Sequence, residues 1–323
     1  MKKLNHKNAL SATVSMLMTL TVCSSVSQAS DIDIYSNATG GKTTIMLMLD
    51  TSGSMSESQV GGSACDLAPG TSYTRGNEPS GTTPGYTKYF CAVNIPGSSS
   101  QQKRYDRLTR LKDAIFTLMD SNQIDSNSVA MGIGQFSSQS GSDNVYTSAD
   151  GVSGKIVVPA ALLSTTQRTA IKTAVANLRG SGGTPTANAY AEVAAYMLGT
   201  NTSTASNLGY SGFSKSVLGS KVGSSSTATN YQTPLSTTNT QCNGQGIYFL
   251  TDGEPNSSPA PVPLMQAALG ANGSSFSVPA TGTLPNGTQN GHGMPAVGEF
   301  AKALRNQRAS TTAPNRNPLG LEI

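Results

Sequence analysis

The stretch Ile45-Met46-Leu47-Met48-Leu49-Asp50-Thr51-Ser52-Gly53-Ser54-Met55 limits what this chain can become more than any other. Five apolar residues in a row, closed by Asp, Ser and Gly, read as a strand buried on both faces, the kind found in a parallel sheet. In an open α/β sheet, ligands collect outside the carboxyl ends of such strands. Asp50, Ser52 and Ser54 therefore come to a ligand edge together, and each offers oxygen.

Oxygen donors of this kind suit a hard cation such as Mg²⁺, Mn²⁺ or Ca²⁺ and suit zinc or copper poorly. Two downstream stretches can complete the set. Gly182-Gly183-Thr184-Pro185-Thr186 offers a Thr on a glycine-rich loop, and Ile247-Tyr248-Phe249-Leu250-Thr251-Asp252-Gly253-Glu254-Pro255 ends another apolar run in a carboxylate. Each piece has a plainer reading: Thr184 before Pro185 is also a helix start, and Asp252-Gly253 is also a turn pair.

The order Asp-x-Ser-x-Ser, then a loop Thr, then a strand-end Asp, resembles the metal-ion-dependent adhesion site (MIDAS) of von Willebrand factor type A domains. That resemblance implies Asp50, Ser52, Ser54, Thr184 and Asp252 as ligands of a divalent cation, Mg²⁺ first with Mn²⁺ or Ca²⁺ as alternatives. It also implies binding without bond chemistry, with a partner's Asp or Glu completing the ion's coordination.

Residues 1–29 read as a secretory signal, with Lys2, Lys3 and Lys7 ahead of the apolar Ala9–Val22 stretch and a small-residue site at Ser27-Gln28-Ala29. Cys23 invites a lipoprotein reading, but Val22 stands where a small residue is needed. Removing the signal takes three of 21 basic residues and no acidic one, which leaves 18 against 17. No basic surface for nucleic acid is implied. Nothing after the signal is long and apolar enough to span a bilayer.

Cys65 and Cys91 bracket an insertion rich in Gly, Pro, Ser and Thr, and export permits a disulfide between them. Cys242 then has no partner in the sequence. The insertions run over about 56–104 and 200–242, and both read as loops. The first has a disordered spacer as its alternative.

Between them, helices are expected from Tyr105, with Leu108, Leu111, Ile115 and Leu118 inward and Arg107, Arg110 and Lys112 on a solvated face. Others are expected from Ser164 to Arg179, from Thr184 to Leu198, and around Ala296–Leu304. Strands are expected at Ser128–Phe136, Lys155–Pro159 and Gly246–Leu250, the last one buried. This alternation argues a doubly wound, Rossmann-like α/β domain over 30–323: a mostly parallel sheet flanked by helices, with long loop insertions. Leu319–Ile323 reads as the start of a further strand. Type A domains finish with a strand and a helix, so the chain is expected to be a fragment.

Signal, metal loop, cysteine-bracketed insertion and Leu-Thr-Asp-Gly-Glu-Pro-Asn together resemble the amino-terminal part of the type IV pilus-associated PilC/PilY adhesins of Gram-negative bacteria. The resemblance implies export to the cell surface, pilus tip or outer membrane. It implies pilus components and an acidic protein ligand or host surface as partners, and a carboxy-terminal β-propeller that lies outside this sequence. A surface protein of the same domain type unrelated to pili is the alternative.

Enzyme readings fare worse. Asn290-Gly291-His292-Gly293 resembles a subtilisin histidine segment, but it lies about 240 residues after Asp50 and no serine segment follows. Ser52 interrupts the Asp-Thr-Gly of an aspartic protease. A phosphate loop at Gly40-Gly41-Lys42-Thr43 would need Gly where Ser36 stands, and it precedes a strand where it should follow one.

Overall fold

The computed structural model describes residues 41–136, 139–140, 148–149, 151–205, 210–224, 227–236, 243–253, 255–274, 276–278, 293–305 and 317–323. The expected signal at 1–29, Cys23, Cys242, Glu254 and His292 lie outside the described residues.

Strand β1 (Thr43–Leu49) leads into a short helix α1 (Glu57–Val60) and then three strands, β2 (Thr74–Pro79), β3 (Thr87–Asn94) and β4 (Gln101–Tyr105). Helix α2 (Arg107–Asp120), strand β5 (Val129–Phe136), the two-residue strands β6 (Gln139–Ser140) and β7 (Ser148–Ala149), and β8 (Gly154–Leu162) follow. Helices α3 (Thr165–Ala176) and α4 (Thr186–Leu198) precede β9 (Gly244–Leu250), and α5 (Pro261–Ala268) and α6 (Met294–Leu304) come last.

The main sheet runs β8-β5-β1-β9. Strand β1 is parallel to both β5 and β9, and β8 is antiparallel to β5 at the edge. The domain is therefore mixed α/β, with a mostly parallel open sheet between helical layers, as the strand–helix alternation predicts.

The apolar run of β1 feeds two cores. Met46 and Met48 join Phe136, Ile156 and the buried residues of α4, α5 and α6, whereas Leu47 and Leu49 join Met131, Ile133 and the inward residues of α2 and α3. Each fully buried side chain of this size contributes about 1.5–3 kcal/mol. Two glycines on β5 make the first core possible. A Cβ on Gly132 would lie 2.5 Å from the Met46 sulfur, and one on Gly134 would lie 2.7 Å from the Met48 methyl. Helix α4 is buried along all 13 residues, and its alanines let sheet and helices close around it.

Five expectations change. The first insertion is not a structureless loop: β2, β3 and β4 form an antiparallel sheet, and Cys65 is bonded to Cys91 as expected. The second insertion sends Phe213, Tyr231 and Leu235 into the core. Strand β9 is a sheet edge with Tyr248 and Leu250 exposed, not a buried strand. On α2 the buried face is Leu108, Thr109, Lys112, Ile115, Phe116 and Met119, so Lys112 is inside where a solvated position was expected. Its ammonium donates to the carbonyls of Ala176 (2.9 Å) and Leu178 (2.8 Å) at the end of α3. Burial, with Arg179 nearby, pushes Lys112 down to about 7. Residues 317–323 form a turn and coil beside α6, where the start of a strand was expected.

Candidate functional site

Register brings the two strand-end carboxylates together. Leu49 pairs with Leu250, so Asp50 and Thr251-Asp252 leave the sheet side by side. The amide of Asp50 donates to the Leu250 carbonyl at 2.9 Å, extending the ladder by one rung.

Asp50 is fully buried, and both its oxygens are engaged. Oδ1 accepts from the Ser52 amide at 2.7 Å; Oδ2 accepts from the Thr251 hydroxyl at 2.8 Å and from the Asp252 amide at 3.4 Å. Burial raises the Asp50 carboxyl above its ordinary range; the Ser52 and Thr251 hydrogen bonds oppose that, and the Asp252 charge adds to it.

Ser52 and Ser54 sit on the turn into α1, their hydroxyls 2.9 Å apart, and Ser54 donates to Asp252 Oδ1 at 3.0 Å. Asp252 presents its other oxygen to Arg107, whose Nη1 lies 2.7 Å from Oδ2 and also donates to the Ser54 carbonyl at 3.2 Å. Arg107 is held from behind by Asp66, with Nε at 2.8 Å and Nη2 at 2.7 Å from Oδ1. Burial works against the Arg107 charge, but the hydrogen bonds to Asp66 and Asp252 outweigh it and keep the guanidinium firmly protonated.

The glycine-rich loop reaches the same place through its backbone. Gly53 donates to the Gly182 carbonyl at 2.9 Å and Ser181 to the Thr51 carbonyl at 2.8 Å. Gly182 takes φ +79°, a conformation that suits glycine. Thr184 is buried but is not the helix cap; α4 starts two residues later with Pro185 at the cap position. Its amide donates to Asn256 Oδ1 at 2.9 Å, and the Asn256 amide donates to the Thr184 carbonyl at 3.0 Å. The Thr184 hydroxyl makes no hydrogen bond to Asp50, Ser52, Ser54 or Asp252.

Four of the five expected residues are thus joined in one hydrogen-bonded chain, and the fifth is carried on a loop tied to it. Arg107, Thr251 and Asn256 are additional members. Asn256 lies in the Leu-Thr-Asp-Gly-Glu-Pro-Asn stretch that the sequence already marked, and Thr251 stands next to a candidate ligand. Nothing in the sequence marks Arg107, because it meets Asp66 and Asp252 across 41 and 145 residues.

Among the described residues no three His, Cys, Asp or Glu side chains cluster as a metal site. The donor set is two carboxylates completed by hydroxyls, which in its chemistry fits a hard divalent cation. An adjoining open cavity of about 420 Å³ is lined by the apolar Met55, Leu111 and Leu250 and by the charged Asp66, Arg107, Arg110 and Asp252. No protein family, no curated protein and no solved structure matches this chain.

Proposed function

We propose that this chain is an exported, divalent-cation-dependent binding domain of the von Willebrand factor A type, belonging to a type IV pilus-associated adhesin of the PilC/PilY kind. One observation carries the cation reading: the chain Asp50–Thr251–Asp252–Ser54–Ser52 draws oxygen donors from two strand ends and a turn to one point of the sheet edge. Turn pairs and caps acting separately would have no reason to converge. The pilus assignment rests on the order of signal, metal loop, cysteine-bracketed insertion and Leu-Thr-Asp-Gly-Glu-Pro-Asn in the sequence.

Asp50, Ser52, Ser54, Thr184 and Asp252 would hold the ion, which supplies an electrophilic centre for a partner's carboxylate. The chain's own residues do the positioning. The Ser52 amide and Thr251 hydroxyl fix Asp50, and the Gly53–Gly182 and Ser181–Thr51 bonds fix the two loops against each other. The reading assigns binding and no catalysis.

Calorimetric titration of Mg²⁺, Mn²⁺ and Ca²⁺ into the folded chain tests it. Binding that Ser52→Ala and Asp252→Ala each abolish is the expected result. A folded wild-type protein that takes up none of the three ions ends the cation reading.

A further inference from the structure

Arg107 is the residue at this site that no reading of a cation site requires. It is the first residue of α2, it follows directly on the first insertion, and it places a positive charge within 2.7 Å of a candidate cation ligand. Its other side is gripped by Asp66, the residue after the disulfide-bonded Cys65, and Arg110 pairs with the same carboxylate. Asp66 is itself in the left-handed region at φ +54°, and its amide donates a hydrogen bond to the Ser63 carbonyl at 3.1 Å. The insertion therefore presents an acidic clamp to an arginine that reaches the site.

Asp50, Asp66 and Asp252 carry three negative charges, and Arg107 and Arg110 carry two positive ones. The cluster is net −1 as it stands, so one divalent ion brings it to +1. Without Arg107 it would be −2, and the same ion would bring it only to neutrality. Arg107 thus opposes the cation while leaving the loaded site with the positive charge that an anionic partner needs. Charges at this separation in a partly buried site interact strongly, although the 28% exposure of the Arg107 side chain admits screening.

Resting on the cation reading above, we infer that Arg107 is the affinity-setting residue of this site: it competes with the divalent ion for Asp252, and Asp66 of the first insertion tunes that competition. The insertion is then more than a decoration beside the site, because its Asp66 decides how firmly the arginine charge is balanced.

The test is Mn²⁺ titration by calorimetry on the whole chain and on Arg107→Gln, Arg107→Lys and Asp66→Asn, with a thermal melt on each to establish a folded protein. Arg107→Gln is expected to bind Mn²⁺ about tenfold more tightly, and Arg107→Lys, which keeps the charge, is expected to stay near wild type. Asp66→Asn leaves the arginine charge less balanced and is expected to weaken Mn²⁺ about threefold. Opposite signs at two residues of one ion pair cannot come from a general loosening of the fold, since loosening weakens both. Equal Mn²⁺ affinity in wild type and Arg107→Gln overturns the inference and leaves the cation reading standing. Absence of Mn²⁺ binding in every folded variant overturns the cation reading and this inference with it.

Discussion

The two insertions solve one problem in opposite ways. Both are polar stretches with little apolar surface to bury, and each has to be fixed to the sheet domain. The first is stiffened by crosslinks of its own, Cys65–Cys91, a three-stranded antiparallel sheet and the Lys103–Glu78 pair, and it meets the domain through Lys88–Asp113 on α2 and through Tyr86 in the second core. The second is held from inside. Glu192 on α4, fully buried, accepts from the Tyr231 hydroxyl, from Thr202 at 2.8 Å and from the Gly212 amide at 2.8 Å, all three from the insertion. Tyr231 stacks edge-on against Tyr196 and Phe213.

Partly exposed ion pairs contribute little each, so the disulfide carries much of the first insertion's order, whereas a buried carboxylate with three donors specifies one arrangement of the second. Each insertion also lies against a buried ionisable group. Lys112 lies over the Tyr86 ring of the first, and Glu192 lies inside the second. Their charges are opposite, and so are their pH windows.

Tyr231→Ala removes a fully buried ring and a Glu192 donor at once. A loss of about 3–5 kcal/mol is expected in urea unfolding, with β2–β4 unaffected in hydrogen exchange. Replacing Cys65 and Cys91 with Ser should cost about 3.5 kcal/mol from the unfolded-state entropy of a loop closed across 26 residues. Here protection should be lost first in β2–β4, and the Tyr231 region should be spared.

Lys112 gives the next effect. Its folded value near 7 lies below the ordinary 10.5, so the unfolded chain binds the extra proton between them. Stability therefore rises with pH through that window, by about 1.4 kcal/mol per unit and roughly 2–3 kcal/mol between pH 7 and 9. In Lys112→Met the excess slope should vanish when stability is measured across that range. Glu192 has the opposite sign. Burial lifts it to about 6 from 4.5 against the three hydrogen bonds it accepts. Its contribution is present below pH 4.5 and is lost as pH rises to 6, about 2 kcal/mol in all. Glu192→Gln should flatten that decline, and a slope unchanged by the substitution would separate Glu192 from the second insertion's pH response.

What the sequence made legible was local. The β1 run, the helix start at Ser164, whose hydroxyl accepts from the Gln167 amide, and the Cys65–Cys91 pair all depend on neighbours or on a simple bracket. Asp50, Ser52, Ser54 and Asp252 were legible because strand ends are marked by a change from apolar to polar residues. The antiparallel sheet was not, since Thr74–Pro79 contains Gly, Asn and Pro, which strands disfavour, and its pairing is set by partners distant in sequence.

Helix α2 shows a subtler limit. The stripe Leu108, Leu111, Ile115, Leu118 and the stripe Leu108, Lys112, Ile115, Phe116, Met119 have the same helical period. The two overlap: Leu111 and Leu118 are half-buried against the same core, and Lys112 joins the buried face with its ammonium on the carbonyls at the end of α3. Helix α5 is masked by its two prolines, although Pro261 at the first turn is a helix start.

The seating of Met46 and Met48 over Gly132 and Gly134 has a kinetic meaning. Both thioethers are wholly enclosed and lie close against the β5 backbone, so an oxidant in solvent has no direct path to them. Met294, at 38% exposure, is open to reagent. Mild peroxide thus becomes a clock: Met294 oxidises at the rate of the reagent, and Met46 and Met48 oxidise only as often as the sheet comes apart. Peptide mass spectrometry of the three would read the opening rate of the domain's centre without any added label.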